Sequence, residues 1–327
     1  DVGYVILNPL VHSAALAAGV NMSVMGTGLV GAMQLTHAMV PPTPGPLAAV
    51  ALVGADIGKV ILFGGIVTLI GSLAGWAYAQ VVGPHIESPP SKEFVGQSFI
   101  EQGREAELPS TWGAYAPILI PLTLIAGQSI AALMLPEEHL LNRLMLYLGW
   151  PVVALGIGIL LAYRQTTGAQ ADARVGTWIE EALRTSAMII MVTGLGGALS
   201  QILRNTPAVE VIAETTAAVG LPAIFLPFVL GVVGNMITGS TTVGVITAAS
   251  VAAPMMDRLG LTPEATMLAG AAGSMIIKYV NSSYFWVCMS LSRMSLKAAL
   301  VSYGGVTFVN GVTAMAVVYL FWTIGWI

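Results

Sequence analysis

The chain has 327 residues, of which 56% are apolar and only 9% charged, with a mean hydropathy of +0.83. That composition reads as an all-α polytopic membrane protein, with the lipid bilayer as its surroundings. The net charge of −4 comes without a basic run, so nothing points to nucleic acid. The single Cys288 excludes an internal disulfide and any multi-cysteine metal site, and the four histidines show no ligand spacing. No cofactor is implied.

In chain order the apolar segments are 2–18; 22–38, broken, then 46–55; 57–82; 114–135; 140–163; 185–203; 221–236; 241–256; 265–277, broken, then 284–291; and 298–324. The first begins at once after Asp1, with no Met or signal peptide, which reads as a chain cut at its start. Several segments are too short to cross about 30 Å at about 1.5 Å per residue. The pair 221–236 and 241–256 is joined by uncharged Thr238-Gly239-Ser240, and reads as a re-entrant helical hairpin. The expected organisation is one transporter domain over 1–327. It divides into an incomplete first repeat (1–82), a cytoplasmic loop (83–113), connecting spans and loop (114–184) and a second repeat (185–327).

The two long polar stretches, 85–113 and 164–184, are two spans apart and share a side. They hold Lys92, Arg104, Arg164, Arg174 and Arg184, against Arg143 on the opposing turn. By the positive-inside rule both loops are cytoplasmic. Arg204, Glu210, Glu214, Asp257 and Arg258 then fall outside, and Arg293 and Lys297 return inside.

Between Pro41 and Pro46 the chain packs four prolines and one glycine into six residues, inside an apolar segment. Proline removes backbone donors and clashes with the preceding turn, so no helix continues through it. The freed backbone groups need protein or a water-filled cavity at membrane depth. A second polar break stands at Lys278-Tyr279-Val280-Asn281-Ser282-Ser283. Each break follows a short apolar arm by roughly the same distance, and an odd number of crossings separates the two units. This is the pattern of an inverted-repeat secondary transporter with paired broken helices and re-entrant hairpins, its site at the midplane.

The candidate binding residues follow from these breaks. Thr36 and His37 precede the first break, beside Pro41 and Pro42. Both side chains can bond a polar solute, and His37 can carry a proton; the plainer reading is a His bonded to carbonyls of its own broken helix. Gly239, Ser240, Thr241 and Thr242 form a hydroxyl cluster at the hairpin tip. There a helix start would offer N–H groups and a positive dipole end to a carboxylate, though Ser and Thr also cap helices without a ligand. Lys278 is the only charge between 265 and 291. A charge at depth is costly and marks a cavity or a partner unless it snorkels to the surface. Asn281, Ser282 and Ser283 lie beside it, and Asn235 and Thr238 are weaker candidates. His37, Lys278 and Asp1 are the candidates for ion coupling. No Walker A, Gly-x-Ser-x-Gly or His-Glu-x-x-His pattern occurs, so the chain does not read as an enzyme. Repeated rings of charge, expected of a channel, are also missing. A non-transporting membrane scaffold is the remaining alternative.

On these residues the chain resembles the gluconate permease (gluconate:proton symporter) family of the ion transporter superfamily. The carrying stretches are Asp1-Val-Gly-Tyr-Val-Ile-Leu-Asn-Pro9, Thr36-His37 with Val40-Pro-Pro-Thr-Pro-Gly-Pro46, Gly54-Ala-Asp-Ile-Gly-Lys59, Gly239-Ser-Thr-Thr-Val243, and Gly273-Ser274 through Phe285-Trp286. The resemblance implies proton-coupled import of gluconate or another small sugar acid, hydroxy acid or amino acid across a bacterial inner membrane, protons or sodium being the coupling ion. It also implies a homodimer. The second repeat departs from the family pattern, which looks like Ser-His-Val-Asn-Asp-x-Gly-Phe-Trp. Here a Lys stands at 278, and Asn235 stands where the family often has Arg. Lys278 is therefore expected to supply the carboxylate-facing charge lost at Asn235.

Overall fold

The computed structural model describes residues 2–91, 110–136, 138–165, 175–180, the single positions 182, 183, 187, 191, 194, 195, 198 and 202, then 220–276 and 278–327. The expected segment 185–203 is thus described only at scattered positions. Asp1, Lys92, Arg104, Arg174, Arg184, Arg204, Glu210 and Glu214 lie outside the described residues.

The described residues are helical, without a strand. The first unit comprises α1 (Val2–Ala18), α2 (Met22–Met39), α3 (Pro44–Val53) and α4 (Ile57–Val82). Pro41 and Pro42 stop α2 at Met39. Its last carbonyls are not left bare, because Thr43 Oγ1 donates to Val40 O at 2.6 Å and His37 O at 3.0 Å. The helix resumes at once as α3, with proline in its first turn, where a missing N–H costs nothing. Gly54 closes α3 in the left-handed region, and Asp56 Oδ1 caps α4 by accepting from Lys59 N at 2.7 Å.

The middle of the chain holds α5 (Thr111–Met134), α6 (Leu140–Leu148) and α7 (Pro151–Arg164). The single span expected over 140–163 is instead two helices bent by 66°. The cause is local: Pro151 follows Gly149-Trp150, so α6 cannot run on through it.

The second unit begins with α8 (Phe225–Thr238) and α9 (Thr241–Ala252), which pack as a helical hairpin. Its turn depends on Gly239 at φ 70°, a conformation that L side chains rarely adopt. Ser240 Oγ then caps α9, accepting from Val243 N at 3.3 Å. α10 (Pro263–Ser274) follows, capped by Thr262, and the chain is non-helical at 275–276 and 278–282 before α11 (Ser283–Leu291). The last helix, α12 (Leu296–Thr323), contains one π turn at Leu300–Gly304.

Two of the described helices, Ile57–His85 and α12, are long and apolar enough to cross a membrane alone, and the bent α6–α7 pair would make a third. Their outer faces carry Leu69, Leu73, Leu160, Phe308 and Leu320, all more than half exposed except as lipid would cover them. α10, by contrast, is buried from Glu264 to Ser274 on every face, which makes it the central helix.

Lipid tails are as apolar as these side chains, so close packing and hydrogen bonds must hold the helices together. The sequence supplies small residues where helices cross. A Cβ at Gly273 would overlap the Phe228 carbonyl of α8, and one at Gly231 would overlap the Gly270 carbonyl of α10. The contacts between the two units are crossed. Arm α9 of the second unit packs on half-helix α3 of the first, and arm α1 of the first packs on half-helix α11 of the second. The two long helices α4 and α12 pair, and broken helices α2 and α10 lie side by side between them. Asp56 N donates to Glu264 Oε1 at 3.0 Å, which ties the start of α4 to the start of α10.

Candidate substrate site

This crossed packing brings the hairpin tip, the second helix break and the last turns of α2 to one cavity of about 530 Å³. α2 contributes His37, and the tip contributes Thr238, Gly239, Ser240, Thr241 and Thr242. The second break contributes Asn281, Ser282 and Ser283. Helices α9 and α11 both begin here, so two positive dipole ends meet the cavity.

Thr241 is the hub. Lys278 Nζ donates to Thr241 Oγ1 at 2.7 Å, and Gln34 Nε2 donates to the same oxygen. A threonine hydroxyl has two acceptor positions and one O–H. With both acceptor positions taken, the hydroxyl keeps its O–H as a donor. Lys278 lies directly behind this wall, only 2% exposed. Its ammonium also donates to Asn235 Oδ1, and Asn235 Nδ2 donates to Ile276 O at 2.9 Å. The positions singled out in the sequence as one charge lost and one gained, 235 and 278, are therefore bonded to each other. Among the described residues no carboxylate pairs with Lys278, and none lines the cavity.

His37 is half-buried, with Nε2 3.3 Å from Thr242 Oγ1. Asn281 Nδ2 donates to Met236 O at 3.0 Å, which fixes the amide. Asn281 Oδ1 has no hydrogen-bond partner among the described residues. Besides Lys278 behind the wall, three of the candidate binding residues, Thr36, Pro41 and Pro42, are not part of the lining. Thr36 is exposed and spends its hydroxyl on Ala32 O at 2.8 Å. Its neighbour His37 lines the cavity, and Thr36 does not. Pro41 and Pro42 shape the end of α2 without lining the space.

Gln34, Met33 and Tyr284 line the cavity and were not singled out in the sequence. Gln34 had a signal: it is a lone amide one turn before His37, hence on the same face. Tyr284 sits in an aromatic cluster with Tyr4 and Tyr303, ring centroids 6.2 and 5.8 Å away, which closes the cavity on the α1 side.

A sequence profile described as GntP family permease matches residues 1–324. The chain belongs to the GntP permease family. It is 30% identical over 324 residues to the gluconate permease of Pseudomonas aeruginosa, covering 98% of this chain and 72% of that protein. The high-affinity gluconate transporter of Escherichia coli is 30% identical over 310 residues, 93% of this chain and 69% of the relative. The D-serine transporter DsdX of Escherichia coli is 28% identical over 326 residues, with 98% and 72% covered. This GntP permease is thus a membrane transport protein and not an enzyme. Of the stretches that carried the resemblance, Thr36 through Pro46, Gly239 through Val243 and the Lys278–Trp286 part of the last build the walls of its cavity or its helix breaks, and Asp1 through Pro9 and Gly54 through Lys59 do not.

Proposed function

We propose that this GntP permease is a secondary active transporter that imports a small organic anion, gluconate or a related sugar acid or hydroxy acid, by proton symport across a bacterial inner membrane. The observation that carries this reading is the cavity wall at Thr241. One buried ammonium stands behind it with no carboxylate of its own, while hydroxyls and two helix starts face the space. A carboxylate placed there would accept from Thr241 and meet the positive ends of α9 and α11. Ser240, Thr242, Ser282 and Ser283 would bond a polyhydroxy chain.

The crossed packing of arms on half-helices supports the inverted-repeat reading, since a two-fold relation between the units generates both contacts together. In that reading α8–α9 is a re-entrant hairpin, and its tip moves with the two breaks as one body. The long pair α4–α12 belongs to the scaffold. A homodimer would anchor that scaffold. The long loop at 83–113 would face the cytoplasm.

A D-serine transporter among the relatives raises amino acids as a second substrate class. Among the described residues the cavity offers no carboxylate to an ammonium group, which favours hydroxy acids. The test is uptake by proteoliposomes holding the full chain, with labelled gluconate and an inward proton gradient. Saturable uptake, competed by sugar acids and not by D-serine, is expected. Gradient-independent, unsaturated flux would favour a channel, and absence of uptake for every acid tried would overturn the transport reading.

A further inference from the structure

Resting on the symport reading, we infer that the transported proton is the one on the Lys278 amine, so that one proton moves with each substrate monoanion and the cycle carries no net charge. The inference starts from bookkeeping of charge around a buried group. Lys278 is held by two neutral oxygens, Asn235 Oδ1 and Thr241 Oγ1, and by no anion among the described residues. A buried ammonium without a counter-charge is costly, and a buried ammonium beside an anion much less so. The anion that the cavity admits would lie just across Thr241.

The titratable groups on the elements around Lys278 are few. His37 is the only one on α2, and α3, α8 and α9 have none. α11 carries Tyr284 and Cys288, and α12 carries Tyr303 next to Gly304, whose Cα region abuts the Lys278 carbonyl. Tyr279 stands beside it on the same segment. α10 brings only Glu264, ten residues before Ser274 and so about 15 Å up the helix. Among these, His37 lines the cavity directly and is bonded to Thr242, one residue from the Thr241 hub. Lys278 alone is screened from the cavity by Thr241, whose hydroxyl accepts its proton and which lines the space.

The step balances without redox or covalent chemistry. A proton from the first compartment bonds to the neutral amine as the anion enters. The ammonium and the carboxylate cross as a neutral pair. When the anion leaves, the stranded ammonium releases its proton to the second compartment, and the amine returns uncharged. An amine that cannot give up its proton would return only with another anion, which is exchange and not net uptake.

That consequence is the experiment. Arginine keeps its proton under all these conditions. In proteoliposomes, Lys278→Arg is expected to exchange internal gluconate for labelled external gluconate, and to lose uptake driven by a proton gradient into empty vesicles. Lys278→Gln is expected to lose gradient-driven uptake as well. Wild type under a fixed proton gradient is expected to take up gluconate at a rate that a valinomycin-set potassium potential does not change. Gradient-driven uptake retained by Lys278→Arg or by Lys278→Gln would overturn the inference and move the proton to His37. A rate in wild type that follows the imposed potential would overturn it even if neither variant folds. If wild type moves gluconate in neither mode, the transport reading itself fails, which separates the two outcomes.

Discussion

The two helix breaks look alike in the sequence and differ in what they do with their backbone. The first is short, from 40 to 43, and settles its own account: Thr43 bonds the His37 and Val40 carbonyls, and α3 starts immediately. The second, non-helical at 275–276 and 278–282, sends its bonds outward to the hairpin. Lys278 reaches Asn235 and Thr241, and Asn281 and Tyr279 reach Met236 O. A proline-rich break is rigid and self-capped, so it sets shape. A break without proline keeps its donors, so it can join the moving parts that surround a ligand.

Substitutions can test that division. Thr241→Val removes the oxygen that holds both Lys278 and Gln34, together with its O–H. Losing a hydrogen bond to a charged group costs about 1.5–3 kcal/mol, and a stranded buried donor adds to it. Substrate affinity should fall on the order of 100-fold, with Thr241→Ser restoring most of it in an uptake assay. Gln34→Leu removes one neutral bond to the same oxygen, about 1 kcal/mol, and should weaken affinity roughly fivefold. At the first break, Thr43→Val should instead lower thermal stability by about 1 kcal/mol in a melting assay, with little change in affinity. Thr36→Val should change either quantity by less than about 0.5 kcal/mol, because Thr36 is exposed and bonded only within its own helix. A large affinity loss in Thr43→Val, or none in Thr241→Val, would erase the contrast.

Much of this was legible in the residues. Apolar run length and the Pro41–Pro46 cluster placed α1 to α4 to within a residue or two, and Gly239-Ser240 marked the hairpin tip. Lys278 announced itself because an isolated charge in an apolar stretch needs a partner. Other features depended on three-dimensional facts that a hydropathy pattern does not carry. The bend at Pro151 hides inside an apolar run of full span length, although the proline was there to be read. Thr36 and His37 are neighbours in sequence, and only His37 lines the cavity. Gln34 gains its importance only from Thr241, 207 residues later. The link between Asn235 and Lys278 likewise needs α8 and the second break to meet across α10.

The central claim is that the substrate carboxylate is recognised at the Thr241 wall by the charge of Lys278. It is tested most directly by comparing the binding of gluconate with that of its neutral amide, by calorimetry on purified protein. Wild type should favour the acid by at least about tenfold, the equivalent of about 1.4 kcal/mol. In Lys278→Gln that preference should vanish. A preference for the acid that survives in Lys278→Gln would contradict the account.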